Sequence, residues 1–392
     1  MRVLYLNHNV VGRGTFVRAA RLARELVALG HEVTVVTTSV AQRIAGRERE
    51  WFGVRIVEAP DLMVGPARAG WDPWNTGWRM QRLARERYDL IHSFDCRPVA
   101  ILPALVQRRR SGAPLFTDWA DWWGRGGIIR ERSSWPVRTF FGPVETWFEE
   151  AFRTTAIAST TISETLRQRC IGLGVAPERV LVLPNGCAPP PAVTPARGEA
   201  RRALQLPDDP LILHLGAMQT TGPAFLFNAF RRVRAQVTTA RLALIAFRGT
   251  VPPDLRPFVH STGFIDDERI LKLWLAAADV GVIPLSDTIS SRARWPSKLS
   301  EYLEAGLPVV MTRVGEAAQL VERSGAGTLS EPSAGAFAAR LVDTLSSQCT
   351  RTAMSARGRA LARGELSWSR LAQRLLAFYH TWPVTASTRA GG

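Results

Sequence analysis

Residues 1–38 read MRVLYLNHNVVGRGTFVRAARLARELVALGHEVTVVTT, and their pattern decides the fold. The run RVLYLN, residues 2–7, is what a strand buried on both faces requires. Gly12 and Gly14 interrupt it in the loop Val10–Thr15. RAARLARELVALGHEV then spaces its apolar residues as a helix, stopped at Gly30, and leads into the strand EVTVVTT. Strand, helix and strand in so short a stretch form a βαβ unit, which implies parallel pairing.

The same alternation continues along the chain. Strands are expected at GVRIVEA near Gly53, DLIHSF near Leu90, APLFTD near Leu115, AIAST near Ile157 and VLVLPN near Val182. CAPPPAVTPARGEARRA, from Cys187, is rich in proline and small residues and reads as a linker. A second series follows: LILHLGA from Leu211, ARLALIAFRG, HSTGFI, DVGVIPL, LPVVMTR and GAGTL. The expectation is two doubly wound α/β domains, residues 1–189 and 190–366, followed by a terminal helix over 367–384, SWSRLAQRLLAFYHTW.

Composition narrows the function classes. The 392 residues are 46% hydrophobic and 21% charged, a globular balance. No apolar run reaches the roughly 18 residues that span a bilayer. The N-terminus lacks the basic start and cleavage site of a signal peptide. Four scattered cysteines offer no metal-binding or disulfide spacing, so no metal and a cytoplasmic location are expected. The net charge of +16 favours an anionic partner. Nucleic acid is not expected, because no nucleic-acid-binding motif appears. Of the 50 basic residues only Lys272 and Lys298 are lysines.

Lys298 falls in the segment with most chemical content, Trp295 to Val310. Pro296 and Ser297 can start a helix, and Gly306–Pro308 ends it before the strand VVMT. Lys298 in the first turn and Glu301 three residues on share a face. A helix N-terminus beside a strand end attracts phosphate. The bland alternative is a surface Lys–Glu pair.

The ordered segments LARELVALGHEV, IHSFD, TISETLRQRC…VLVLPNG, LILHLGA, STGFIDDERILKLWLAAADVGVIPL, WPSKLSEYLEAGLPVV and VGEAAQLV extend over nearly the whole chain. In this order and spacing the sequence resembles the family 4 glycosyltransferases, also called glycosyl transferases group 1. The resemblance implies the GT-B fold, two Rossmann-like doubly wound domains facing across a cleft. It implies retaining transfer from a nucleotide-diphosphate sugar to a hydroxyl of a saccharide, a lipid-linked glycan or a small molecule. No metal or cofactor is implied. The N-terminal domain would bind the acceptor and the C-terminal domain the donor, with the last helix packing back on the first domain. Lys298 would meet the diphosphate and Glu301 the ribose. Gly216, Phe264, Ile265, Arg294 and Ser297 would complete the donor site.

Three departures stand out. The family's first acidic residue, eight before Glu301, is Ala293 here. The usual Gly-Arg and Lys-Gly pairs read Gly216-Ala217 and Thr221-Gly222. Asp287, Ser290 or Ser291 are candidates to contact the sugar, and Arg292, Arg294 and Arg248 to replace the missing charge. The departures support a second reading, a catalytically impaired relative that binds a nucleotide sugar or glycan. A sugar-nucleotide epimerase on the same fold is less expected, because the sequence lacks its histidine and acidic pattern. A Rossmann dehydrogenase is discounted, because the glycine loop here lacks the third glycine of GxGxxG and the second strand ends TVVTTS without an acidic residue.

Toward the acceptor, Gly12, Arg13 and Gly14 form a loop that suits close backbone approach to a ligand. Asp118 is expected nearest the chemistry, with Asp121 and His92 as further catalytic candidates. Asp95 and Asn185 join the acceptor or phosphate loop set. Nine of the 13 tryptophans lie between Trp51 and Trp147, interleaved with Arg68, Arg79, Arg82, Arg125, Arg130, Arg132 and Arg138. That mixture suits a core, a sugar-stacking pocket or an anionic membrane surface. A peripheral position on the inner face of the cell membrane is the corresponding expectation.

Overall fold

A computed structural model describes residues 1–65, 68–132, 134–189, 195–216, 218 and 222–382. The chain divides into two units, Met1–Asn185 with Trp368–Gly392, and Gly186–Ser367. The first break comes ahead of the expected one after residue 189, because Gly186 and Cys187 belong to the second unit.

Unit 1 carries strands β1 (Arg2–Val10), β2 (Glu32–Thr38), β3 (Arg47–Trp51), β4 (Val54–Ala59), β5 (Leu90–Phe94), β6 (Leu115–Trp119), β7 (Ala158–Thr161) and β8 (Val180–Val182). Their order is β3-β4-β2-β1-β5-β6-β7-β8. All pairs are parallel except β3 with β4. This antiparallel edge strand, REREW, departs from the expected all-parallel sheet. Its charged, half-exposed side chains are those of a protected edge.

The period of two in β1 builds two cores. Val3 and Tyr5 face Phe16, Leu22 and Leu26 of helix Thr15–Ala28, joined by Leu371, Leu375 and Tyr379 of helix Trp368–His380. Leu4 and Leu6 face the opposite cluster with Ile101 and Ala104 of helix Pro98–Ser111. Unit 1 is thus completed by the last helix of the chain.

Unit 2 carries β9 (Leu211–Leu215), β10 (Arg241–Ile245), β11 (Val259–Ser261), β12 (Val280–Ile283), β13 (Val309–Thr312) and β14 (Gly327–Ser330). Its order is β11-β10-β9-β12-β13-β14, all parallel. This is the doubly wound order, and strand order reverses between β9 and β12. Part of the expected linker is a helix, Arg197–Ala203. Its Arg201 donates to the carboxylate of Asp279 at 2.8 Å.

Among the described residues no helix is long and apolar enough to cross a membrane. Nor does any group of three or more His, Cys, Asp or Glu stand ready to hold a metal.

Gly281 in β12 leaves room for the ring of Tyr302 on the next long helix. A Cβ there would lie 2.7 Å from that ring. Tyr302 is fully buried and cannot swing aside. Gly281→Ala is expected to destabilise unit 2 by about 1–3 kcal/mol through overpacking. Chemical denaturation with unit 2 fluorescence from Trp274 and Trp295 checks this.

Candidate functional site

Helix Ser297–Ala305 follows β12, so its first turn stands at the C-terminal edge of the unit 2 sheet. Pro296 precedes the first turn, and Gly306 ends the helix at a left-handed φ of 69°. Two polar contacts tie this helix to β9. The Tyr302 hydroxyl accepts from the Leu215 amide at 3.0 Å. The Lys298 Nζ lies 2.9 Å from His214 Nε2. The first turn is therefore held where the strand order reverses. Ligands bind open parallel sheets at this point, and the free amides of a first turn favour an anion.

The electrostatics of this turn are unusual. Burial, and then the neighbouring charge of Arg294, pulls the Lys298 ammonium down to about 8. Burial pushes the Glu301 carboxyl up to about 7, with Lys298 opposing the shift. His214 is completely buried, and burial with the adjacent Lys298 charge holds it neutral. An ammonium only donates, so His214 Nε2 accepts and Nδ1 carries the ring proton. His214 Nδ1 and Glu301 Oε2 are both buried without a hydrogen-bond partner among the described residues. Such a group costs about 1–3 kcal/mol. Glu301 Oε2 is thus an acceptor waiting for donors, as ligand hydroxyls are.

The other donor candidates distribute around this turn. Gly216 ends β9 with a left-handed φ of 82°. Ser297 is exposed as the first helical residue, and Arg294 precedes the helix close enough to depress Lys298. Phe264, 71% exposed, and Ile265 follow β11 on the same edge. Ala217 and Thr221 lie outside the described residues. Asp287 is occupied by Arg292 at 2.6 Å. Arg248 is exposed, while Ser290 and Ser291 are buried and bond to Thr288 at 2.9 and 3.1 Å.

His214 is the residue that sequence reasoning missed. Its signal was a single polar side chain in the aliphatic strand LILHL. A buried strand tolerates histidine only where the ring finds a partner.

In unit 1 two expectations need correction. Asp118 is the next-to-last residue of β6, whereas His92 lies in the middle of β5 rather than after it, and both point into the core. Asp118 is 1% exposed and receives Arg18 Nη2 at 2.9 Å and the Thr160 hydroxyl. Burial pushes its carboxyl up, yet the Arg18 guanidinium outweighs that and holds it below the usual range. His92 is fully buried between the Tyr379 hydroxyl at 2.6 Å and Thr160 at 3.3 Å. Burial pulls it down to about 4, so it is neutral. Their partners are internal, and neither presents a free polar group to a substrate. Asn185 belongs to the same cluster, accepting from Arg18 at 3.4 Å.

The residues that do reach the sheet edge are others. Gly12, Arg13 and Gly14 are exposed in the first loop. Asn9 fixes that loop by accepting from the Thr15 amide at 2.7 Å. Asp95 ends β5 with a left-handed φ of 82°, beside His8 Nδ1 at 3.4 Å and Arg97 Nε at 3.7 Å. That places Asp95 and His8 together where the strand order of unit 1 reverses. Asp121 is half-buried just after β6.

Comparison with known proteins agrees with this architecture. Residues 13–186 match the model of the glycosyl transferase 4-like domain, and residues 209–347 that of glycosyl transferases group 1. The chain belongs to this glycosyltransferase family. Its fold is GT-B. Sucrose-phosphate synthase from Thermosynechococcus elongatus superposes with a TM-score of 0.75 at 18% identity, over 97% of this chain and 99% of that one. The Anabaena protein HepE in complex with UDP-glucose gives 0.69 at 16% identity, over 97% and 100%. WaaG, a glycosyltransferase of lipopolysaccharide biosynthesis, gives 0.67 at 16%, over 98% and 100%. No curated protein is similar in sequence.

The internal placement of Asp118 in this family member has a measurable consequence. Asp118→Asn leaves Arg18 buried without its counter-charge, which costs about 3–5 kcal/mol. Denaturant unfolding is expected to show that loss, while the folded fraction still binds UDP with the parent affinity. The carboxylate's contribution is complete above the ordinary range near 3.8 and fades only as pH falls through its lower folded value.

Proposed function

We propose that this protein transfers a sugar from a nucleotide-diphosphate donor to an acceptor hydroxyl with retention. The carrying observation is the Lys298–Glu301 turn, half-buried, oppositely charged and left with an unpartnered carboxylate oxygen at the sheet's switch point. Unit 2 would bind the donor, with Lys298 on the diphosphate and Glu301 accepting from the ribose hydroxyls. The UDP-glucose bound by HepE favours a uridine nucleotide as the first probe. Unit 1 would receive the acceptor near Gly12, Arg13, Gly14 and Asp95.

The chemistry needs little from the protein beyond electrostatics. The bond from the anomeric carbon to the β-phosphate oxygen breaks, and a bond from that carbon to the acceptor oxygen forms. The acceptor's proton passes to the departing diphosphate. Lys298, with Arg294 beside it, would stabilise the negative charge that develops there. The acceptor would be a saccharide, a lipid-linked glycan or a small molecule, and an anionic membrane surface is part of the reading. The second reading, a nucleotide-sugar or glycan binding protein without turnover, draws on Ala293, Ala217 and Thr221. Hydrolysis and transfer assays with UDP-, GDP- and ADP-sugars separate the two. Nucleotide binding without turnover of any donor supports the second.

Two outcomes test the donor site by calorimetry with UDP. Glu301→Ala is expected to weaken binding by about 1.5–3 kcal/mol, the range for hydrogen bonds to a charged group. An unchanged Kd would sink the assignment. The parent's affinity should peak between about pH 7, where Glu301 ionises, and about pH 8, where Lys298 loses its proton. Above that window a neutral Lys298 no longer attracts the diphosphate. Lys298→Arg keeps its charge, so the alkaline fall should vanish even if binding weakens.

A further inference from the structure

Four large apolar side chains stand exposed within one short stretch of unit 1. Trp135 is 62% exposed, Phe140 70%, Val144 44% and Trp147 56%. They lie on and around the π-helical turn Val137–Phe141 and the helix Gly142–Ala151. The stretch is anchored from beneath. Trp71 packs edge-on against Phe141 and Phe148, with ring centroids 4.7 and 5.3 Å apart. The outer rings are therefore displayed on a fixed base. Trp135 and Phe140 stand together, 6.1 Å between centroids.

Exposed charge on this face is mostly positive. Glu145 and Glu149 of the same helix are turned inward, 2% and 3% exposed. Glu145 is taken up by Arg97 at 3.2 Å and Arg132 at 3.0 Å. Glu149 accepts from Trp119 Nε1 at 3.0 Å and the Trp123 amide at 2.7 Å. Arg125, Arg130 and Arg138 are exposed. They line a cavity of about 560 Å³ with Ile129, Pro143, Trp147 and Glu150, which pairs with Arg125 at 2.9 Å and leaves Arg130 and Arg138 as the cations of the rim. Aromatic rings flanked by outward arginines, with Glu145 and Glu149 withdrawn, match the layered chemistry of an anionic bilayer: acyl boundary for the rings, phosphate for the guanidinium groups.

We infer that the surface formed by Trp135, Phe140, Val144 and Trp147 with Arg130 and Arg138 docks unit 1 on an anionic phospholipid membrane. This rests on the membrane part of the functional reading and assigns it to one face. A lipid-linked acceptor would then be met at the bilayer. The occupant is a lipid surface rather than a protein, because arginines outnumber acids around the rings, Arg125, Arg130, Arg132 and Arg138 against Glu131 and Glu150.

Co-sedimentation of the full chain with vesicles tests it. Phosphatidylcholine vesicles with about a third phosphatidylglycerol should carry the protein down at low salt, and pure phosphatidylcholine should not. Trp135→Ser with Phe140→Ser, and separately Arg130→Glu with Arg138→Glu, should each lower partitioning at least about tenfold. UDP-induced thermal shifts verify that the variants are folded. If the ring variant melts early, Phe140→Ser alone, at the most exposed ring, should still reduce partitioning. A parent that stays in the supernatant overturns the membrane reading and this inference together. A parent that binds while the patch variants bind equally overturns the inference alone. Equal binding to neutral vesicles, or retention only through a protein partner, overturns the lipid assignment.

Discussion

A parallel strand cannot reach its neighbour through a tight turn, and the rest of this structure follows from that constraint. Each crossover must carry a helix or a long loop, so every parallel strand ends on the same edge of its sheet. In unit 2 that edge collects the end of β9, the end of β12 and the first turn of helix Ser297–Ala305. Lys298 and Glu301 meet the end of β9 at Gly216, some eighty residues earlier in the sequence, because the topology leaves them no other place. In unit 1 the same rule brings the Gly12–Gly14 loop and Asp95 to one edge. The candidate site lies where the chain reverses its winding, and the apolar faces only have to hold that edge still.

Holding it still is done differently in the two units. Unit 2 uses an aromatic hydroxyl and a buried imidazole, Tyr302 and His214, to fasten a helix to a strand. Unit 1 buries a charged chain instead. Arg18 joins Asp118 to the carbonyls of Leu183 and Pro184, at 2.8 and 3.0 Å. Thr160 and His92 extend it to Tyr379 and then Tyr5, 3.1 Å further. That chain links the first helix, four strands and the last helix. Charge burial is expensive unless every member is paired, so the network tolerates few arrangements. It places the carboxy-terminal helix specifically, where aliphatic packing alone would allow sliding.

This network also explains which parts of the sequence were legible. Strands β1, β2, β5, β9, β10, β12 and β13 announce themselves because burial on both faces demands apolar runs. β3 does not: REREW at a sheet edge has no apolar face to show. The helix Arg197–Ala203 was hidden behind a proline-rich run. At the site, Lys298 and Glu301 were legible from helix spacing and segment order. Asp118 and His92 looked functional because both are polar residues close to where a strand was expected to end, although β5 runs on past His92 to Phe94. Their direction was set by Arg18, a residue whose helix face no local pattern reveals. His214 was invisible for the opposite reason, being polar in a stretch that otherwise reads as core.

The choice of lysine at 298 follows from the space available. The chain satisfies nearly every other cationic need with arginine. A guanidinium is broad, planar and holds its proton under all ordinary conditions. An ammonium is compact and directs three donors from a single atom. Here one of those donors is spent on His214 at 2.9 Å, which leaves two to project from the first turn. An arginine in the same place would bring its fork against the buried imidazole. The lysine also responds to what occupies the site. Burial draws its proton affinity down to about 8 when the site holds no anion. An anion placed beside it would raise that affinity again, because a neighbouring negative charge favours the protonated form.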